Sequence, residues 1–173
     1  MEQLPDSFDE LCEALAALRT GAEAAAFQDL LDADATCFGC GPANPQGFRL
    51  KSRWSDDRSA VVATQVVAPY HGSGFPNTLQ GGAIATLLDC HLCWAVIAAA
   101  YAAEGREVGE GDPIIYVTAE LSLRYLRPTP IDGPLQLVGR AEGPVGRKMR
   151  AIGEMGDGGA VTATAEGLFV RVT

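Results

Sequence analysis

The stretch from Leu79 to Tyr101 constrains the fold of this chain more than any other. After the Gly81-Gly82 pair it contains no glycine or proline until Gly105. It is too long for a strand, and alanine and leucine dominate it, so we predict a helix that begins near Gly81. Because it is apolar on nearly every side, we expect other elements to enclose it.

Strand-like segments lie on both sides of this helix in the sequence. The predicted strands are 48–54 and 60–67 before the helix, and 114–126, 135–142, 147–154 and 160–172 after it. Glycine-rich turns join the last three, which predicts antiparallel pairing. Strict alternation along 114–126 places Thr118 on the more polar face of its strand. A sheet wrapped around one buried helix satisfies this order and predicts an α+β fold.

The chain divides into two predicted parts, a helical extension over residues 1–33 and a main domain over residues 34–173. Ser7 and Glu10 have the spacing of a capping box, and apolar residues recur at helical spacing as far as Leu31. We interpret the extension as an amphipathic flank packed on the domain. A regulatory or partner-binding helix is the alternative.

Charge and cysteine content narrow the function classes. The net charge of −9 argues against nucleic acid and anionic membrane surfaces as partners. Asp89 and His91, at the middle of the long helix, argue against a membrane span. The acidic N-terminus is unlike a signal peptide, and five cysteines are an odd number, so we expect a reduced protein in the cytoplasm.

Asp89 is the acid in the middle of the predicted buried helix. No lysine or arginine lies within four residues of it, so an ion pair along the helix is excluded. A distant basic partner or a turn cap would be a structural explanation. We favour a functional one, because a buried carboxylate has a raised pKa and can serve as a general base or nucleophile.

The Gly81-Gly82 pair supplies a second candidate feature. The first amides of a helix are free donors at the positive end of its dipole, which suits a developing oxyanion. A tight turn is the structural alternative. Gly81 and Asp89 are separated by about 12 Å along a helix axis. One carbonyl cannot contact both, so we predict a two-fold dimer in which each site takes one element from each subunit.

Two segments carry a family resemblance: 79–90, which includes Asp89, and 116–128, which includes Thr118. Together they resemble the hotdog-fold acyl-CoA thioesterases, in particular the phenylacetyl-CoA thioesterase-like branch. The segments 37–41 and 44–47 are similar to the lead-in of bacterial members. The resemblance covers residues 37–172. It implies a hotdog fold, with an antiparallel sheet around the helix, and a homodimer or dimer of dimers without a metal.

The resemblance also implies roles for four residues. The Gly81 amide would donate to the thioester carbonyl, and Asp89 of the facing subunit would attack that carbonyl or activate water. Thr118 would hydrogen-bond the water or the carboxylate. Gln80 stands where the family has histidine; glutamine can hydrogen-bond a carbonyl but cannot take up a proton at neutral pH.

Four further residues are candidates for binding the substrate. Gly82 lets a carbonyl approach closely, and His71 and Asn77 lie near the place of a family asparagine that has no clear match here. Arg127 is one of several cations that would bind the anionic coenzyme A, although a solvated strand face explains it equally well. We therefore predict hydrolysis of an acyl-CoA or related thioester, with coenzyme A as part of the substrate and no separate cofactor.

Two other functions compete with hydrolysis. One is a non-catalytic acyl-CoA-binding protein, in which Gln80 marks lost catalysis. The other is a hotdog dehydratase acting on a CoA ester, which usually needs an Asp and His pair on one loop. No such pair is found near the start of the helix.

Four cysteines form two C-x-x-C pairs. Cys37 with Cys40 and Cys90 with Cys93 have the spacing of zinc ligands, but the pairs are much farther apart than in zinc ribbons or fingers. We interpret them as small buried hydrophobic residues and expect no metal.

Overall fold

One long helix packs against a six-stranded antiparallel sheet. The computed structural model describes residues 25–172, so residues 1–24 of the predicted helical extension 1–33 lie outside the described residues. The elements are α1 (Phe27–Leu31), β1 (Arg53–Trp54), β2 (Val61–Gln65), a 3-10 helix (Pro69–His71), α2 (Gly81–Ala103), β3 (Tyr116–Tyr125), β4 (Leu135–Glu142), β5 (Lys148–Gly156) and β6 (Val161–Arg171). The strand order is β1-β2-β4-β5-β6-β3. This is the α+β architecture that the sequence pattern predicted and the hotdog fold that the family resemblance implied.

The helix α2 begins at Gly81, as predicted, and most of its surface is buried. Among residues 25–172 it is the one helix long and apolar enough to cross a membrane by length and composition. Within the fold, 72% of its most apolar window is buried. Enclosure by the sheet therefore accounts for its hydropathy.

Two glycines let α2 approach the sheet closely. Gly139 of β4 and Gly153 of β5 are directly opposite each other in the strand register. A Cβ atom on Gly153 would lie 2.6 Å from the Val138 carbonyl oxygen and 2.7 Å from Leu92 Cδ2. The Leu92 side chain of α2 thus rests against backbone that carries no side chain.

The predicted strand 48–54 is wrong over most of its length. Only Arg53–Trp54 pairs with β2. The amides of Phe48 and Leu50 instead donate to the carbonyls of Phe38 and Gly39, at 2.9 and 3.1 Å. Phe48 and Leu50 are buried nonetheless. Their apolar character reflects burial in the core under a turn-rich loop, not sheet pairing.

Strict alternation along β3 is also wrong, because the strand contains a bulge. Thr118 pairs with Phe169 and Glu120 pairs with Leu168, which leaves Ala119 as the extra residue. Even-numbered residues therefore face α2 before the bulge, and odd-numbered residues face it afterwards. In the structure, Thr118 lies on the inner face, opposite the buried Phe169. Strict alternation had instead predicted that Thr118 faces away from the apolar residues that follow it in β3.

The described end of the predicted extension packs on the domain. Phe27 is buried, and its ring lies 6.0 Å from the ring of Trp54 and 6.2 Å from that of Trp94. The side chain of Gln28 accepts a hydrogen bond from the Ser52 amide at 2.9 Å. These contacts fix α1 beside β1 and α2. The boundary at residue 33 stays a prediction.

Candidate active site

The Asp89 carboxylate is held by one hydroxyl group. Thr118 Oγ1 donates to Asp89 Oδ1 at 2.7 Å, because the bulge in β3 turns Thr118 towards α2. No cation forms an ion pair with Asp89 among residues 25–172. The charge of this carboxylate is therefore not neutralised by the protein, and its second oxygen is left to a ligand or water.

Asp89 lies beside a free edge of the sheet. Among residues 25–172 the strand β3 pairs only with β6, so its other side has no partner strand within this part of one chain. Asp89 is half-buried in one chain, less enclosed than the sequence led us to expect, and Thr118 is exposed. Exposed apolar residues follow the same edge, including Val117 at 47% and Tyr125 at 56% exposure. A second chain on this edge would enclose the carboxylate.

The start of α2 presents free amide groups. Gln80 is the N-cap, and its Oε1 accepts a hydrogen bond from the Ala83 amide at 2.9 Å. The amides of Gly81 and Gly82 have no acceptor within the part of the chain that the structure describes. They point the positive end of the helix dipole outwards, as an anion or oxyanion requires. The side-chain Oε1 of Gln80 is therefore already hydrogen-bonded, whereas its Nε2 remains available as a donor.

A groove of about 410 Å³ opens at this helix start. It is lined by Phe38, Phe48, Tyr70, His71, Gly72, Gln80, Gly82, Ala83 and Thr86. The structure thus brings three predicted site residues, His71, Gln80 and Gly82, to one place. Burial lowers the pKa of His71, which favours a neutral ring at neutral pH. Its Nδ1 accepts from the Ala68 amide at 3.2 Å.

Two predicted substrate-binding residues lie outside this groove. Asn77 Nδ2 donates to Asp132 Oδ2 at 2.9 Å, so this side chain ties its loop to the segment before β4. Arg127 is exposed beyond the end of β3, and its backbone amide donates to the Thr162 carbonyl at 3.3 Å. Their contact with substrate stays a prediction.

Sequence reasoning missed the aromatic residues of the site. Tyr125 Oη donates to the Gly81 carbonyl at 3.0 Å and covers the first turn of α2. Phe38, Phe48 and Tyr70 supply apolar groove walls. Their position depends on long-range packing, although Phe38 lies inside the Cys37–Gly41 segment that the resemblance singled out.

The cysteines separate into a cluster and a lone thiol. The Sγ atoms of Cys37, Cys40 and Cys90 all lie within 4.8 Å of one another. Cys93 Sγ lies 3.4 Å from the Tyr116 carbonyl oxygen. Burial raises the pKa of Cys93 to about 12, so this thiol stays protonated.

A solved structure decides the family. A thioesterase superfamily protein from Shewanella loihica PV-4 matches this chain at 30% sequence identity with a TM-score of 0.57. The match covers 72% of this chain and 91% of that protein. The chain belongs to the thioesterase superfamily. No protein-family model and no curated protein sequence matches it.

Other solved structures share the architecture at lower identity. A phenylacetic acid degradation-related protein from Ralstonia eutropha JMP134 is 22% identical, with a TM-score of 0.60, over 83% of this chain and 98% of its own. A Bacillus halodurans protein solved with CoA is 17% identical, with a TM-score of 0.59, over 99% of both chains. These two matches support the hotdog fold of this thioesterase superfamily member.

Proposed function

We propose that this protein hydrolyses an acyl-CoA, or a related acyl thioester, to the free acid and thiol. The observation that carries the proposal is the Asp89 carboxylate, which Thr118 orients and no described cation neutralises. Membership of the thioesterase superfamily supports thioester chemistry. The Bacillus halodurans neighbour solved with CoA supports coenzyme A as the thiol.

In the proposed reaction the helix start binds the carbonyl and Asp89 drives the attack. Asp89 takes a proton from water as the water oxygen bonds to the thioester carbon, and the Gly81 amide donates to the forming oxyanion. The tetrahedral intermediate then breaks its C–S bond, and the leaving thiolate takes up a proton. Direct attack by Asp89, followed by hydrolysis of the resulting anhydride, satisfies the same geometry.

The proposed site needs two chains. Along α2, Gly81 and Asp89 are about 12 Å apart, so they cannot contact one carbonyl group from the same helix. Within the described residues, the free edge of β3 runs from Thr118, which contacts Asp89, to Tyr125 at the start of α2, and its exposed apolar residues favour pairing with a second chain. We therefore propose a homodimer, or a dimer of dimers, with Asp89 of one subunit facing Gly81 of the other.

The groove favours an apolar acyl group. Its walls include the rings of Phe38, Phe48 and Tyr70, and burial favours a neutral His71. Within the described chain no carboxylate lines this groove. Within residues 25–172 of one chain, the groove therefore holds no Asp and His pair of the kind expected of a dehydratase.

Thiol release from a panel of acyl-CoA thioesters tests the proposal. We expect Asp89→Asn to lower kcat by about 10²- to 10⁴-fold, the usual contribution of a general base. Asp56→Asn is the matched control, because Asp56 is exposed and distant in sequence from α2.

Two results would contradict this function. Steady hydrolysis that survives Asp89→Asn would remove Asp89 from the mechanism. Tight acyl-CoA binding without turnover of any thioester in the panel would favour the non-catalytic binding protein.

A further inference from the structure

Three cysteines from distant parts of the chain converge on one point outside the proposed hydrolytic pair. Cys37 and Cys40 belong to the turn-rich segment 34–47, and Cys90 belongs to α2. Their Sγ atoms all lie within 4.8 Å of one another. Neither Asp89 nor Thr118 contacts these sulfur atoms through a hydrogen bond. The proposed hydrolysis does not use the cluster.

The spacing of the sulfur atoms suits a tetrahedral metal ion. Two thiolates at about 2.3 Å from a zinc ion are roughly 3.8 Å apart at the tetrahedral angle. Cys37 Sγ and Cys90 Sγ are 3.7 Å apart. A disulfide would require about 2.05 Å, and all four described cysteines are free thiols. The pair is therefore spaced as two ligands of one ion.

The backbone around Cys37 is shaped to fit over Cys90. A Cβ atom on Gly39 would lie 2.4 Å from Cys90 Sγ, so only glycine allows the loop to approach this closely. The Gly41 amide donates to the Cys37 carbonyl at 2.9 Å, which closes the turn that contains both cysteines. Cys37 and Cys40 are thus held against α2 by the geometry of this turn.

Hydrogen-bond donors surround the sulfur atoms as they do around metal-bound thiolates. Trp94 Nε1 donates to Cys40 Sγ at 3.4 Å, from the turn of α2 that follows Cys90. Cys37 Sγ and Cys90 Sγ also lie within hydrogen-bond distance of each other, at 3.7 Å. Such donors stabilise the negative charge that a ligand thiolate carries.

Within residues 25–172 the cluster supplies three ligands, which leaves one position of a tetrahedral site open. Cys90 is buried and Cys40 is half-buried, whereas Cys37 is exposed, so solvent reaches one side of the cluster. Cys93 does not complete the set from its present place, because its Sγ donates to the Tyr116 carbonyl at 3.4 Å and is not one of the sulfur atoms that lie within 4.8 Å of one another. Water or a small anion can occupy the fourth position.

We propose that Cys37, Cys40 and Cys90 bind one zinc ion as thiolates. Binding releases the thiol protons to solvent and involves no change of oxidation state. The ion has a structural role: it joins the segment 34–47 to α2 and so fixes Phe38, which lies between two ligands and lines the groove. The proposed hydrolysis itself still uses no metal.

Titration of the full chain, reduced and metal-free, with Co²⁺ alone tests this site. We expect one Co²⁺ per chain, the intense thiolate-to-cobalt charge-transfer band, and the visible bands of a tetrahedral complex. Added Zn²⁺ should displace the cobalt and abolish these bands. Cys37→Ser should weaken binding at least tenfold, and it is the substitution least expected to disturb folding, because Cys37 is exposed.

Cys93→Ser is the matched control, since it removes a cysteine from the same helix but not from the cluster. It should bind cobalt as the parent chain does. In addition, Zn²⁺ should raise the Tm of the parent chain and of Cys93→Ser, but not of Cys37→Ser.

Several outcomes would overturn the zinc site. One is a reduced parent chain that shows no thiolate-to-cobalt band with equimolar Co²⁺. Another is equal loss of binding in Cys93→Ser and Cys37→Ser. A third is a chain isolated under mild conditions with a disulfide between two of the three cysteines and no bound metal. Each outcome leaves the proposed hydrolysis untouched.

Discussion

The hydroxyl of Thr118 determines how the Asp89 carboxylate is presented. It donates to Asp89 Oδ1 at 2.7 Å, and no ion pair restrains this carboxylate within residues 25–172. A single hydrogen bond thus fixes one oxygen and leaves the other to act on water or substrate. In this account Thr118 positions the carboxylate, whereas Asp89 performs the chemistry.

Thr118→Val removes this hydrogen bond but keeps the shape of the side chain. We expect kcat to fall about 10- to 100-fold, because a hydrogen bond to a charged group contributes about 1.5–3 kcal/mol. KM should change little if Thr118 does not contact the acyl group. Steady-state kinetics measure the two parameters separately.

Thr118→Ser is the matched control, because it restores the hydroxyl. It should recover most of the lost kcat. Equal kcat in the valine and serine variants would show that the hydroxyl does not position Asp89.

A second residue-scale feature is the buried, neutral His91. The Val61 carbonyl can only accept, so His91 Nε2 donates to it at 3.1 Å and Nδ1 accepts from the Ser52 hydroxyl at 2.9 Å. Burial lowers the pKa of His91 to about 4. This histidine completes the core and has no part in the proposed chemistry.

His91 should make the fold sensitive to mild acid. Between pH 6.5 and about 4 the unfolded chain holds a proton on this ring that the folded chain does not, so the free energy of unfolding falls as pH falls. From pH 7 to pH 5 this contribution amounts to about 2 kcal/mol. Urea unfolding at the two pH values measures it.

His91→Gln is the control, since glutamine does not titrate in this range. The loss of stability from pH 7 to pH 5 should be smaller by that amount in the variant. The same loss in both proteins would mean that His91 is not the group responsible.

At the scale of elements, the sequence predicted those features that local chemistry controls. The start of α2 follows from Gly81 and the apolar run, and the last two hairpins follow from their glycine-rich turns. The bulge at Ala119 has no local signal, because it arises from the pairing of β3 with β6. The apolar sequence around Asp89 was enough to predict its importance. The inward orientation of Thr118, in contrast, depends on the register between β3 and β6, which the sequence does not specify locally.

The close approach of α2 to the sheet gives an element-scale prediction. Gly153→Ala would place a Cβ atom 2.6 Å from the Val138 carbonyl oxygen and 2.7 Å from Leu92 Cδ2. Backbone must move to accommodate it, so we expect a loss of about 1–3 kcal/mol in the free energy of unfolding. Thermal or urea unfolding measures the change.

Gly146→Ala is the matched control, because a Cβ atom there meets nothing within 4 Å. Its stability should stay close to that of the parent chain. If the two variants were equally stable, the glycine contact between α2 and the sheet would not limit packing.

For the whole molecule, the central claim is that two subunits build each site. The groove at the start of α2 and the Asp89–Thr118 pair are separate places on one chain. The free edge of β3, with its exposed apolar side chains, lies beside Asp89. A partner subunit on this edge would supply the helix start that Asp89 lacks.

Gly81→Pro removes the proposed hydrogen-bond donor at the start of α2 and leaves Asp89 unchanged. Proline is well tolerated at the first position of a helix, and the Gly81 amide has no acceptor within residues 25–172, so the substitution removes the proposed donor and adds side-chain atoms in van der Waals contact with Tyr125. We expect kcat to fall about 10²- to 10³-fold. Gly81→Ala keeps the amide and should retain more activity; equal losses would implicate crowding instead of the missing donor.

Activity of a mixed dimer, with Gly81→Pro in one subunit and Asp89→Asn in the other, tests the central claim most directly. Each variant is expected to be inactive as a homodimer. If the sites are shared between subunits, the mixed dimer has one site with both groups intact and recovers about half of the parent activity. If the mixed dimer is as inactive as the two variant homodimers, each site uses groups from one chain alone. That result would contradict a site shared between subunits.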